Sequence, residues 1–346
     1  MISYNEFKEY IRENFMRFVP DDIAREYHVI INEVLKVNRV EEHFSLCRNN
    51  GNTFAPSISL NESYKDFFSQ SYRANTSVNE YVATLAKRYI EYLGSKSLTS
   101  NIHLKPQTQN FNVTNILSDL DSHVRLIVIN TRINERLLST VPHRTLNNTD
   151  LSIIYAYAFD KDNNSGIQAS VIIDNIIIKR IPRFVGLSYE QVEALLYNNA
   201  YKNSRKCTNI RSLSSLFSMG DICDGTVVIS TTDTNYGAAT IAITELLDDI
   251  FDGEDSIIIP SSLDECIAVP ARLVDLTGDI SDVGDMISTV NATLEFKKIL
   301  SYSAYRYSPK NHTLTMAYNG SENLEKRISE DPELLLFRGG LNAARG

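Results

Sequence analysis

The chain has 346 residues, 43% of them hydrophobic and 22% charged, and a formal net charge of −9. This length predicts one large or two modest domains with a substantial core. The excess of 43 acidic over 34 basic residues argues against a nucleic-acid binder, because such proteins neutralise phosphates with Lys and Arg.

The sequence shows neither the pattern of a signal peptide nor that of a membrane span. The first residues, MISYNEFKEYIRENF, carry charges throughout, and no run of about 18 apolar residues occurs. The cysteines Cys47, Cys207, Cys223 and Cys266 lack the CxxC spacing of metal and redox motifs. We therefore expect a cytoplasmic protein with free thiols, without a metal or another cofactor, and without contact with a membrane.

Two capping boxes predict where helices begin in the first hundred residues. Ser3 with Glu6, and Ser77 with Glu80, have the spacing at which each side chain bonds the backbone N–H of the other residue. Apolar residues at helical spacing follow both boxes. We expect the first of these helices to stop before Pro20, since proline cannot continue a helix.

Between these two helices, apolar residues alternate with polar ones, which is typical of half-buried strands. The alternation runs over Tyr27–Val37 and resumes at Phe44–Leu46 after a turn, so the pattern predicts a hairpin. Ile58–Leu60 is expected to add a short third strand, and a further helix is expected from Tyr64.

The stretch Gly94–Asn110 is polar and reads GSKSLTSNIHLKPQTQN, which makes it the best candidate for a domain boundary. The predicted organisation is an N-terminal region over 1–110, a C-terminal region over 111–318, and a polar, partly flexible tail over 319–346.

Strand and helix signals are mixed in the C-terminal region. The apolar run Leu151–Phe159 predicts a buried strand, and Ile176–Ile178 is also strand-like. Ser188 with Gln191 forms a third capping box, and Ile210–Phe217 is expected to be a shorter helix.

The stretch from Thr226 to Val269 organises the rest of this region. Short apolar runs bounded by Gly, Asp and Pro predict strands near Val227–Ile229, Ser256–Pro260 and Cys266–Val269. Because helices and short strands alternate without regular βαβ order, we expect an α+β fold. Its sheets should be mixed and mostly antiparallel, with amphipathic helices packed on them.

Several short phrases together carry a resemblance to a known family. They are Ala55-Pro56, Val141-Pro142-His143-Arg144, Tyr236-Gly237-Ala238-Ala239, Ile259-Pro260-Ser261-Ser262 with Glu265, Val290-Asn291-Ala292-Thr293 and Tyr305-Arg306-Tyr307. In this order, over roughly residues 4 to 310, the chain resembles an uncharacterised domain-of-unknown-function family common in anaerobic gut Firmicutes. The resemblance implies an intracellular bacterial or phage protein and carries over no functional residue.

Pro142-His143-Arg144 is the cluster that looks most like a site. His143 can exchange a proton near neutral pH, and Arg144 can clamp a carboxylate or phosphate. Ser261 and Ser262, near Asp264-Glu265, are the candidate nucleophiles, although no GxSxG or SxxK context surrounds them. The competing interpretation is a turn in which these four side chains bond the nearby backbone.

Two further clusters are candidate binding residues. Tyr305 and Tyr307, with Arg306 between them, have the composition that stacks bases or a peptide. The alternative is a strand that presents Tyr on one face and packs on the other. The basic residues Lys179, Arg180 and Arg183 are the local exception to the acidic balance, and they are the candidates for nucleic-acid contact.

No cluster amounts to a catalytic constellation. The leading hypothesis is therefore a cytosolic protein-binding or interaction module without catalysis. The alternative is a hydrolase or transferase that uses His143 and Arg144 near Ser261 and Ser262, which requires the four side chains to meet in one pocket. A protein is the expected partner; the oligomeric state is left open.

Overall fold

The computed structural model describes residues 2–49, 57–94, 103–104, 111–112, 119–159, 170–179, 181, 184–213, 225–232, 235–277 and 279–330. The chain forms two compact units, Met1–Asn115 and Ile116–Gly346, which are called the N-terminal and the C-terminal unit below.

The described part of the N-terminal unit combines helices with a small antiparallel sheet. Its helices are α1 (Tyr4–Asn14), α2 (Asp21–Glu26), α3 (Leu60–Ala74) and α4 (Val78–Gly94). Its strands are β1 (Tyr27–Lys36), β2 (Arg39–Arg48) and β3 (Ile58–Ser59), with a separate pair of β4 (His103–Leu104) and β5 (Phe111–Asn112).

Both capping boxes of this unit form as predicted. The Ser3 N–H donates to the Glu6 carboxylate at 2.7 Å, and the Glu6 N–H donates to Ser3 Oγ at 3.3 Å. The same exchange joins Ser77 and Glu80 at 2.9 and 3.2 Å. These bonds need only residues three positions apart, which is why the sequence alone predicted them.

The predicted hairpin is confirmed, with Tyr27 opposite Arg48 and Lys36 opposite Arg39. The third strand is shorter than expected, because the Ser59 side chain accepts the Glu62 N–H and starts α3 at Leu60 rather than at Tyr64.

Aromatic rings fill the core of the N-terminal unit in this chain without tryptophan. The rings of Phe7 and Phe67 stack at 5.5 Å, and those of Phe15 and Phe44 meet edge to face at 4.9 Å. Tyr89, which is 2% exposed, uses its hydroxyl to accept the buried Leu46 N–H. The core therefore joins α1, α3 and α4 to the hairpin.

The C-terminal unit contains two antiparallel sheets. The first has the order β6-β8-β7, with β9 also paired to β8, and the second has the order β10-β11-β13-β12-β14-β15. The strands of the first sheet are β6 (Val124–Asn130), β7 (His143–Thr145), β8 (Leu151–Ala158) and β9 (Ser170–Ile172). Those of the second are β10 (Thr208–Ser212), β11 (Val227–Thr231), β12 (Ser256–Pro260), β13 (Cys266–Pro270), β14 (Ala304–Ser308) and β15 (Thr313–Tyr318).

Helices pack around these sheets. In the described residues they are α5 (Glu135–Leu138), α6 (Asn175–Ile178), α7 (Tyr189–Lys206), α8 (Thr244–Phe251), α9 (Ala271–Thr277), α10 (Ile280–Thr293) and α11 (Ser321–Glu330). The α+β class and the mostly antiparallel pairing agree with the sequence prediction. The predicted strand Leu151–Phe159 is β8, all of whose residues are buried.

Two predicted elements of this unit are wrong. Ile176–Ile178 is helical, because the Asp174 side chain accepts the Ile177 N–H and caps a short turn. The segment expected to be a helix from Ile210 begins with β10, which pairs with β11 from Thr208 opposite Thr231. Residues 214–217 lie outside the described residues.

The predicted polar tail begins with an ordered helix, α11, whose Leu324 is 4% exposed. Leu324 packs with Ile299, Tyr302 and Ile328. One apolar residue per turn is enough to hold an otherwise polar helix on the unit. Residues 331–346 lie outside the described part. Among the described residues, no helix is long and apolar enough to cross a membrane.

Candidate interaction surface

His143 and Arg144 lie in strand β7 rather than in the predicted turn. His143 is opposite Ile154, and Arg144 is opposite Ile153 in the fully buried β8. Antiparallel pairing with β8, the next strand along the chain, decides the conformation of this segment.

The backbone N–H and the ring Nδ1 of His143 both have hydrogen-bond partners within the C-terminal unit. Its backbone N–H donates to the Tyr189 hydroxyl at 3.0 Å, and its ring Nδ1 is 3.1 Å from the Val141 carbonyl oxygen. A carbonyl oxygen only accepts, so Nδ1 carries the proton that it shares with Val141.

Arg144 belongs to a closed cluster with α7. Its Nε and Nη2 donate to the two carboxylate oxygens of Glu193 at 3.0 and 2.8 Å, and the guanidinium lies 3.7 Å from the ring centre of Tyr197. The Tyr155 hydroxyl donates to the same carboxylate. Burial, then the hydrogen bond and charge of Glu193, raises the pKa of Tyr155 well above its usual value. The two guanidinium donors with which Arg144 would bind a carboxylate or phosphate are thus already bonded to a carboxylate of its own chain.

Ser261 and Ser262 lie in the loop between β12 and β13, and they stabilise its turn. Ser261 Oγ donates to Glu265 Oε1 at 3.2 Å, and Ser262 Oγ accepts the Asp264 N–H at 3.0 Å. The Asp264 carboxylate in turn accepts Lys298 Nζ at 2.6 Å. These hydroxyls bond carboxylate and backbone groups of their own loop, as the competing interpretation expects.

The two candidate pairs therefore use different partners. His143 and Arg144 bond Val141 and α7, whereas Ser261 and Ser262 bond the loop that contains them. Catalysis by this set stays a prediction that none of these contacts supports. In the described residues, no three His, Cys, Asp or Glu side chains are grouped as a metal site requires.

Tyr305 and Tyr307 are 0% exposed, so neither ring presents a face on which a base or a peptide stacks. Their hydroxyls donate to Asp150 at 2.5 Å and to Asp248 at 2.8 Å. Arg306, between them, pairs with Asp255 at 3.3 Å and Asp275 at 2.6 Å. Tyr305 and Tyr307 thus lie in a strand, as the alternative interpretation expects, but their face of the strand is the one that packs into the core.

The predicted basic cluster is only partly visible. Lys179 is exposed at the end of α6, while Arg180 and Arg183 lie outside the described residues.

Large exposed apolar side chains lie between α6 and the start of α7, both ends included, and sequence reasoning missed them. We call four of them the apolar patch: Ile176 (59% exposed), Val185 (76%), Leu187 (37%) and Tyr189 (46%). The only sequence signal was their closeness along the chain, because a run such as Ile176–Ile178 is equally typical of a buried strand.

Hydrogen bonds hold both ends of the patch against the segment that contains His143. The Asn175 N–H donates to the Thr140 carbonyl at 3.0 Å, next to Ile176. The Tyr189 hydroxyl is 3.4 Å from the Val141 carbonyl, one residue further along. The first and the last residue of the apolar patch thus lie next to the same short segment, Thr140–His143.

A family model matches residues 4–309, which is most of the chain and includes all of the candidate residues above. The chain belongs to a family of unknown function, DUF5688. Membership in DUF5688 agrees with the resemblance of the short phrases and assigns no activity to any of them. No curated protein and no solved structure matches the chain.

Proposed function

We propose that the protein is a cytoplasmic interaction module without catalysis, and that it binds a protein partner on the apolar patch. The observation that carries the proposal is the exposure of Val185, 76%, beside three other exposed apolar side chains. Adjacent exposed apolar side chains cost free energy in water and are typical of surfaces that a partner covers.

The surroundings of the patch fit a protein partner. Tyr189 offers an aromatic face, and its hydroxyl stays bonded to the backbone of Val141 and His143. A tyrosine held in this way contributes contact area at little cost in conformational entropy. Lys179 adds one exposed cation at the edge, which suits a partner with acidic residues around its apolar side chains.

The cysteines support the proposed compartment. Cys47, Cys207 and Cys266 are free thiols among the described residues, and Cys266 is fully buried. Unpaired thiols are typical of proteins of a reducing cytoplasm.

The substitution Val185→Asp tests the proposed surface, because it places a charge where a partner would bury a methyl group. We expect at least a roughly tenfold loss of the captured partner, as for a central interface residue. The measurement is affinity capture of the full chain from its source cells, with quantitative mass spectrometry. Met286→Asp is the matched control, since Met286 is 42% exposed on α10 of the same unit.

Partners retained by Met286→Asp and lost by Val185→Asp would agree with the proposal. Equal capture by both variants and the unchanged chain would contradict it, provided that circular dichroism shows all three to be folded.

A further inference from the structure

A small cavity lies inside the C-terminal unit. The strand pairs Arg125 opposite Ala156 and Ala158 opposite Ser170 place these four side chains on one face of the first sheet. Ala239, from the 3₁₀ helix Gly237–Ala242, closes the cavity from the other side. The volume is about 30 Å³, room for about two water molecules.

The cavity exists because its walls carry alanine where larger side chains would fill the space. Ala156 and Ala239 are 1% and 3% exposed, so they belong to the core rather than to the surface. Ser170 is exposed and also lines the cavity, and it therefore marks the mouth. The lining combines apolar side chains with polar ones such as Ser204, Thr231 and Thr240, which can orient a small ligand.

Arg125 is the only cation in the described lining, and one of its donors has no hydrogen-bond acceptor. Its Nη1 donates to the carbonyl oxygens of Ser122 at 3.1 Å and Val124 at 3.2 Å, which hold the guanidinium in place. Its Nε is fully buried and has no partner among the described residues. A buried donor of a charged group without an acceptor is costly, and an anion in the cavity would remove that cost.

Hydrogen bonds hold two residues of the lining, Tyr236 and Thr231. Tyr236 has φ 53°, in the left-handed region, and its N–H donates to Asp264 Oδ1 at 3.1 Å. Thr231, a second lining residue, donates its hydroxyl to the Asn235 carbonyl at 2.9 Å. These bonds restrain two residues of the lining, so an entering ligand meets wall groups that are already held in place.

We propose that this cavity binds the carboxylate of a small aliphatic acid, with Arg125 Nε as its donor. A carboxylate group has about the size of two waters and accepts a charge-assisted hydrogen bond from a guanidinium. The carboxylate fills the space beside Ala156, Ala158 and Ala239, and the short hydrocarbon part of the acid extends out past Ser170 at the mouth. Binding is non-covalent, and the Cys207 thiol in the wall takes no part in it.

The test is isothermal titration of the purified full chain with acetate, propionate and butyrate at constant ionic strength. Acetamide and propionamide are the neutral probes of the same shape, and chloride is the probe for a simple anion. We expect the acids to bind and the amides to bind at least roughly tenfold more weakly, because the charge-assisted bond is lost.

Two variants connect the binding to the cavity. Arg125→Gln removes the charge, and Ala156→Val fills the space beside an unchanged guanidinium; we expect each to weaken acid binding by roughly tenfold or more. Arg211→Gln, which alters an exposed arginine of the same unit, should bind like the unchanged chain. If Arg125→Gln does not fold, Ala156→Val still decides the matter.

Three results would overturn the proposal: acids and amides that bind equally, chloride that binds as tightly as the acids, or unchanged acid binding in a folded Ala156→Val variant. The expected pattern, with acids above amides and loss in both cavity variants, would support it.

Discussion

Asp150 shows how a carboxylate is held by neutral groups in this molecule. Its Oδ2 accepts from Asn130 Nδ2 and Ser301 Oγ, each at 2.8 Å, and its Oδ1 accepts from the Tyr305 hydroxyl at 2.5 Å. All three donors are 0% exposed. Burial, then the charge and hydrogen bond of Asp150, raises the pKa of Tyr305 well above its usual value. Tyr305 therefore acts as a structural donor.

At the same scale, Glu193→Gln tests whether the Arg144 cluster is structural. The change leaves the guanidinium of Arg144 without its carboxylate, and we expect a loss of about 1–3 kcal/mol of unfolding free energy. The loss is smaller than for a fully buried pair, because the Arg144 side chain is 40% exposed. Urea denaturation measures it, with the exposed Glu245→Gln as the control. A loss no larger than that of the control would contradict a structural role.

At the scale of elements, three capping boxes were predicted from the sequence and all three form. Ser188 and Gln191 begin α7 as Ser3 and Glu6 begin α1, because each box closes within one turn of helix. Strands that depend on pairing with another strand were predicted less well. β7 and β10 are strands only because β8 and β11 lie beside them.

At this scale, the 3₁₀ helix Gly237–Ala242 is predicted to tolerate no side chain at Gly237. A Cβ on Gly237 would lie 2.6 Å from Ser230 Cα and would overlap the Asp264 carbonyl, and neither backbone can move without shifting its strand or loop. We expect Gly237→Ala to cost more than about 3 kcal/mol of unfolding free energy. Gly253→Ala is the control, since open space surrounds Gly253 and only its φ of +79° opposes alanine. Equal denaturant midpoints for both variants would show the predicted overlap to be absent.

At the scale of the whole molecule, buried phenols and a buried thiol link stability to alkaline pH. Burial is the largest cause of a raised pKa at Tyr4, Tyr81, Tyr155 and Tyr307, and hydrogen bonds or charges of nearby carboxylates add to it. Burial also raises the pKa of the Cys266 thiol to about 12. Each of these groups thus keeps its proton in the folded chain at a pH where the unfolded chain has lost it.

The expected consequence is a fall in stability above pH ~10, where unfolded tyrosine ionises. Above that pH the unfolded state binds fewer protons than the folded state, so the unfolding free energy decreases as pH rises. Below it the tyrosine contribution is fully present, whereas the Cys266 contribution declines from about pH 8.5, where an unfolded thiol begins to ionise. Urea midpoints from pH ~8 to ~11, with tyrosine absorbance recorded in parallel, measure the effect. A midpoint that stays constant over this range would contradict the assigned pKa directions.

The α+β class, the caps and the buried strand β8 were determined by the sequence itself, because propensity, alternation and capping act between near neighbours. Tertiary structure alone decided what the candidate residues do. Arg144 pairs with Glu193, which is 49 positions away in the chain. The rings of Tyr305 and Tyr307, on β14 of the second sheet, are fully buried. The exposed patch and the cavity beside Arg125 likewise arise from the way in which separate elements pack. Their physical origin is the packing of segments far apart in the chain, which no local pattern of residues encodes.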